Sequence, residues 1–100
     1  MTAQEMFEEL GFKQIVAINL QHNKSIQICY ERVLDDSVKI KIFFFDNVFF
    51  GNLYYWDFKK ECYEIVGGFS IHKELLEAIT KQCQELGWIE WLMKRNWLKS

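Results

Sequence analysis

Proline is absent from this 100-residue chain, histidine occurs only twice, and the three cysteines, Cys29, Cys62 and Cys83, stand far apart. Each shortage excludes something. Without proline, a low-complexity tract or an internal repeat there is no stretch of linker composition, so the expectation is a single domain over residues 1–100. An odd number of widely spaced cysteines fits neither a disulfide framework nor a CxxC metal or redox motif. It predicts reduced thiols, at least two of them buried as small hydrophobes. Lone histidines, His22 in a polar turn and His72 at a helix start, supply no zinc-ligand spacing. No apolar run approaches the roughly 20 residues that cross a bilayer, because Lys39, Lys41, Asp46 and Asn47 interrupt the longest ones. The opening Met-Thr-Ala-Gln-Glu is acidic and lacks a basic segment followed by an apolar one, so a soluble, cytoplasmic protein without a signal is expected. Positive charge is not in excess either. With 12 Lys and Arg against 14 Asp and Glu the net charge is −2, which disfavours nucleic acid as a partner.

Catalytic constellations are as scarce. Cys62 and His72 are the nearest thing to a nucleophile and base, yet a loop cysteine and a helix-cap histidine read as structure. Asp35-Asp36 and Glu8-Glu9 are paired carboxylates in a turn and on a wet helix face, where no burial tunes an acid. Gly67-Gly68 lacks the further glycines and the Lys-Ser/Thr of a phosphate loop. The expectation is no enzyme, no cofactor, no metal and no small-molecule substrate.

What the chain does have is aromatic side chains, and they are concentrated. Nine of the sixteen residues from Phe43 to Phe58 are aromatic, more than half of all those present. A strand turns alternate residues to opposite faces, so consecutive aromatics load both faces of a sheet.

Around this segment the periodicities predict an α+β fold: an N-terminal helix, an antiparallel β-meander of four to five strands, a long C-terminal helix and a short final helix. Thr2-Ala-Gln-Glu5 is a capping box, Met6, Phe7 and Leu10 form the stripe behind it, and Gly11 ends the helix. Alternation at Val16, Ile18 and Leu20, then at Ile26, Ile28 and Tyr30, marks two strands separated by His22-Asn23-Lys24. Leu34-Asp35-Asp36-Ser37 is a second turn before a third strand from Val38. Tyr63, Ile65 and Val66 suggest a short fifth strand, with a loop as the alternative. Leu75, Leu76, Ile79, Cys83 and Leu86 recur at helical spacing from a His72 cap to Gly87, with Ile71 and Leu76 placed as a staple and Glu77 and Lys81 as an i,i+4 pair. Trp88 to Leu98 reads as the short last helix.

Asp46-Asn47 tolerates positive φ at both positions and predicts a two-residue hairpin loop, which sets Phe45 opposite Val48 and Phe44 opposite Phe49; a turn at Gly51-Asn52 with a shorter fourth strand is the alternative. One face then carries Val38, Ile40, Ile42, Phe44, Phe49, Gly51, Leu53 and Tyr55 and is expected to be the core. The other carries Lys39, Lys41, Phe43, Phe45, Val48, Phe50, Asn52, Tyr54 and Trp56.

Two stretches, Thr2-Ala-Gln-Glu-Met-Phe-Glu-Glu-Leu-Gly11 and Ile71 to Trp88 with its closing Glu-Leu-Gly-Trp, resemble the ends of small phage and prophage proteins of low-GC Gram-positive bacteria. In those, a TAxEMFExLG opening precedes a strand-rich middle and an ELGW segment lies near the C-terminus; His72 replaces their usual Thr or Ser cap. The resemblance implies a mobile-element origin, a bacterial cytoplasm and an α+β fold. It carries no activity and no site residue.

Burying an aromatic side chain is worth roughly 1.5–3 kcal/mol, so leaving five or six wet would forfeit on the order of 10 kcal/mol, comparable with the stability of a small domain. The second face therefore calls for cover. Helices could supply it, the first and the long one on the core face and the Trp-rich tail on the other. The expected function is a non-enzymatic interaction protein that binds itself, as a homodimer, or a host protein through Phe43, Phe45, Phe50, Tyr54 and Trp56, with Trp91 and Trp97 of the tail. A single-stranded nucleic-acid platform built on the same rings beside Lys39 and Lys41 is the alternative. A small Cys-dependent enzyme ranks below both.

Overall fold

The computed structural model of the chain describes residues 1–20 and 25–88, and the side chains of 1–18 and 27–88. The expected His22-Asn23-Lys24 turn and the short last helix with Trp91 and Trp97 lie outside the described residues. Those described form α1 (Ala3–Glu9), β1 (Lys13–Leu20), β2 (Ser25–Val33), β3 (Val38–Phe45), β4 (Val48–Asp57), β5 (Cys62–Gly67) and α2 (Lys73–Glu85). The class is α+β. Two compact units make it up, residues 1–10 with 71–88 and residues 11–70.

In the helical unit the capping box forms as its sequence dictates: the Glu5 amide donates to the Thr2 hydroxyl at 3.2 Å and the Thr2 amide to the Glu5 carboxylate at 3.1 Å. These bonds hold the Glu5 carboxyl below its usual pKa, the backbone donor contributing most. The Ala3 amide, another orphan donor of the first turn, is taken by the Glu85 carboxylate at 2.7 Å from the end of α2. His72 caps α2, its Nδ1 accepting the Leu75 amide at 3.2 Å. Ala3, Phe7, Leu75, Ala78, Ile79 and Cys83 are buried, and Gly11 and Gly87 take the positive φ that ends each helix. The expected staple residues Ile71 and Leu76 are both exposed, and Glu77–Lys81 is not among the ion pairs of the described residues.

The sheet unit is a meander in the order β1-β2-β3-β4-β5, every neighbouring pair antiparallel. Asp46 and Asn47 sit at φ 50° and 67°, the two-residue loop whose twist matches its strands, and the β3–β4 register runs from Phe45 opposite Val48 to Val38 opposite Tyr55. Asp35 organises the β2–β3 turn by accepting the Ser37 and Val38 amides at 2.7 and 2.9 Å. Asp57 does the same for the Lys59 and Lys60 amides before β5, which is a strand and not a loop.

Register places Tyr30, Ile42 and Phe44 together on the inner face, all fully buried, with Tyr30 edge-on to Phe44 at 6.2 Å. Of the residues expected in this core Ile42 and Phe44 are buried, Val38, Ile40, Gly51 and Leu53 are half-buried, and Phe49 and Tyr55 are each 43% exposed. The cause is where they fall along the sheet. β5 pairs only with Leu53–Asp57, so Phe49 has Phe44 on one side and, among the described residues, no strand on the other; Tyr55 lies opposite Val38, the first residue of β3.

Candidate interaction face

The outer face is built by the same register. Phe43, Phe45, Phe50, Tyr54 and Trp56 all lie on it, brought together by β3 and β4, while Trp91 and Trp97 lie outside the described residues. Four further residues share it that sequence reasoning did not single out. Tyr63 and Ile65 of β5 stand opposite Trp56 and Tyr54, Val33 stands opposite Lys39, and Ile18 joins through Gln27. All four are exposed. The alternation of Tyr63 and Ile65 is the sequence signal for two of them, and it places them on this face only if 62–67 is a strand and not a loop.

The rings are ordered in pairs. Phe43 and Phe50 stack at 5.1 Å with 18° between planes, and Trp56 meets Tyr63 edge-on at 4.9 Å. Cations fill the gaps: Lys39 Nζ lies 3.7 Å above the Tyr63 ring and 3.7 Å from the Glu31 carboxylate, and Lys41 Nζ lies 5.5 Å from the Tyr54 centroid. A platform for unpaired bases needs free ring faces and free cations. Here Phe43, Tyr54, Trp56 and Tyr63 present rings already engaged by a neighbour. What remains exposed is apolar surface at the β3–β4 end, with Phe45 at 43%, Val48 at 55% and Phe50, one ring face on Phe43, at 47% exposure.

Cys29 sits fully buried at the centre of this face, with Phe43 its neighbour across to β3 and Val16 its neighbour across to β1. Burial pushes its thiol up to about 11, against the opposing pull of Lys41, and burial raises Cys83 as well. Neither is a thiolate at neutral pH. Cys62 is exposed at the start of β5. A disulfide-exchange reagent should therefore modify one thiol rapidly in native protein and the other two only on unfolding, and fast labelling of Cys29 would contradict the packing described. His72 spends its Nδ1 on the α2 cap, 3.1 Å from Glu74. Among the described residues no three His, Cys, Asp or Glu side chains gather as metal ligands, and no helix is long and apolar enough to cross a membrane. Among the described residues the helical unit has an open groove of about 450 Å³ beside Met6, Leu76, Thr80 and Lys81 and a smaller one of about 240 Å³ beside Met1, Leu10 and Glu74. No family model, no curated protein and no solved structure matches the chain.

Proposed function

We propose that this chain is a non-enzymatic interaction protein of phage or prophage type, acting in the cytoplasm of its bacterial host and binding a protein partner through the outer sheet face. The observation that carries this reading is the exposed Phe45, Val48 and Phe50 surface, continuous with the ordered Phe43, Tyr54, Trp56 and Tyr63 rings and edged by Lys39 and Glu31. Rigid aromatic side chains in a fixed array lose little conformational freedom on binding, and such residues with a polar rim dominate protein interfaces. The resemblance of the two end segments to phage proteins is what points to a bacterial host protein.

The test compares capture from a Gram-positive bacterial extract by the wild-type chain and by the double variant Phe45→Ser, Phe50→Ser. Both residues are exposed, so the fold should survive, as circular dichroism would check. A host protein retained by wild type and lost from the variant is the expected result. Equal retention by both would remove this face as the binding surface.

A further inference from the structure

The two helices of the helical unit begin on caps of different chemistry. Thr2 offers a hydroxyl, which accepts the Glu5 amide at 3.2 Å and donates to the Glu5 carboxylate at 2.9 Å at the same time. An oxygen with two lone pairs and its own proton meets both demands in one protonation state. His72 meets the demands on α2 with a single ring nitrogen. Its Nδ1 lies 3.2 Å from the Leu75 amide nitrogen and 3.1 Å from Glu74 Oε2. Toward the amide that nitrogen must accept, with a bare lone pair, and toward the carboxylate it must donate, with a proton. It cannot do both. The neutral ring, carrying its proton on Nε2, keeps the cap and turns a lone pair toward Glu74. The imidazolium bonds Glu74 and turns an N–H against the Leu75 N–H.

We propose that His72 is a proton-operated cap: neutral, it closes the first turn of α2, and when Nδ1 takes a proton from water it exchanges the Leu75 amide for the Glu74 carboxylate. The surroundings favour exchange over a fixed bond. Both side chains are more than half exposed, so the proton has access and the carboxylate is free to swing. The third residue of α2 is Leu75, which has no side-chain oxygen to bond back to the cap as Glu5 does in α1. Among the described residues the released amide has no other side-chain acceptor. The further charged groups around the ring are Lys73 and Glu77 of α2 and, from the α1 side packed against it, Glu9 and the Met1 amino group; Met1, Glu9, Glu74 and Glu77 line one small groove. Of all these only Glu74 bonds the imidazole. The exchange reaches the packing of the helices through Leu75, which is buried, while the Leu76 amide keeps its bond to the His72 carbonyl at 2.9 Å. Proton uptake therefore loosens one turn and leaves the rest of α2 intact.

Amide exchange of the full chain, followed by NMR from about pH 8 to about pH 5, the interval over which histidines charge, tests this against His72→Asn. In wild type the Leu75 amide, corrected for the intrinsic pH dependence of exchange, should lose about fivefold in protection as the His72 ring resonances titrate, the worth of one helix cap. The Glu74 side-chain carboxyl carbon should move in step with the ring. In His72→Asn, whose side-chain oxygen caps without titrating, Leu75 protection should stay constant over the same interval. A wild-type Leu75 amide equally protected at both ends, or an equal loss in both proteins, overturns the proposal. A Glu74 carboxyl carbon indifferent to the ring overturns it as well, because the exchange then has no acid-side partner.

Discussion

Phe44→Ala is expected to lower the free energy of unfolding by about 3–5 kcal/mol, whereas Phe50→Ala should cost about 1 kcal/mol. The two residues have the same side chain and sit one pairing step apart in one hairpin, so composition and propensity cannot separate them. Their surroundings do. Phe44 is 0% exposed, edge-on to Tyr30 and 6.2 Å from Phe49, so its removal leaves a cavity that neighbouring strands cannot collapse. Phe50 is 47% exposed and loses mainly its stack on Phe43. Urea unfolding at low protein concentration reads both. Equal costs, or a larger cost at Phe50, would sink the assignment of inner and outer faces.

The second large effect lies at Gly51, where a Cβ would stand 2.7 Å from the end of the Phe69 ring and 3.3 Å from the Lys41 carbonyl. Gly51→Val should therefore destabilise by about 1–3 kcal/mol, since the ring must be displaced from the strand it covers. In a Phe69→Ala background the same change should become neutral or favourable. The ring, the closer of the two obstacles, is then gone, the Lys41 carbonyl stays at 3.3 Å, and valine suits a strand better than glycine does. A double-mutant cycle by denaturant unfolding gives the coupling directly. Additive effects would mean that Phe69 does not lie over Gly51.

Much of this was legible in the chain because it depends on local chemistry. Asp46-Asn47 determines the β3–β4 register, and the register alone sorts Phe43, Phe45, Phe50, Tyr54 and Trp56 from Ile42 and Phe44. Thr2 and Glu5 mark one helix start and His72 the other in the same way. Misplaced were features that depend on how far a neighbouring strand reaches. Alternation assigns Phe49 and Tyr55 to the inner face correctly, but Phe49 is exposed because β5 does not reach it and Tyr55 because it lies opposite the first residue of β3, neither of which a period of two reveals. Nor does any spacing show that Lys39 reaches the Tyr63 ring on β5, two strands away, or that Phe69 returns over Gly51. Those contacts arise between segments that the sequence separates by loops, and they exist only once β5 is in place.

The division of the chain into a meander and a pair of helices drawn from its two ends also bears on how folding entropy is distributed. The bond from the Ala3 amide to Glu85 joins residues 82 positions apart. In an otherwise open chain, closing a loop some sixty residues long costs about 2.4 kcal/mol more than closing one of four, at roughly 0.6 kcal/mol for each doubling. No strand pairing in the sheet faces that penalty, because every strand pairs with its immediate successor. Each hairpin closes over a short connection and shortens the free chain for the next. By the time the sheet is complete, residues 11–70 no longer behave as a flexible loop, and the cost of uniting the termini has already been met in small local steps.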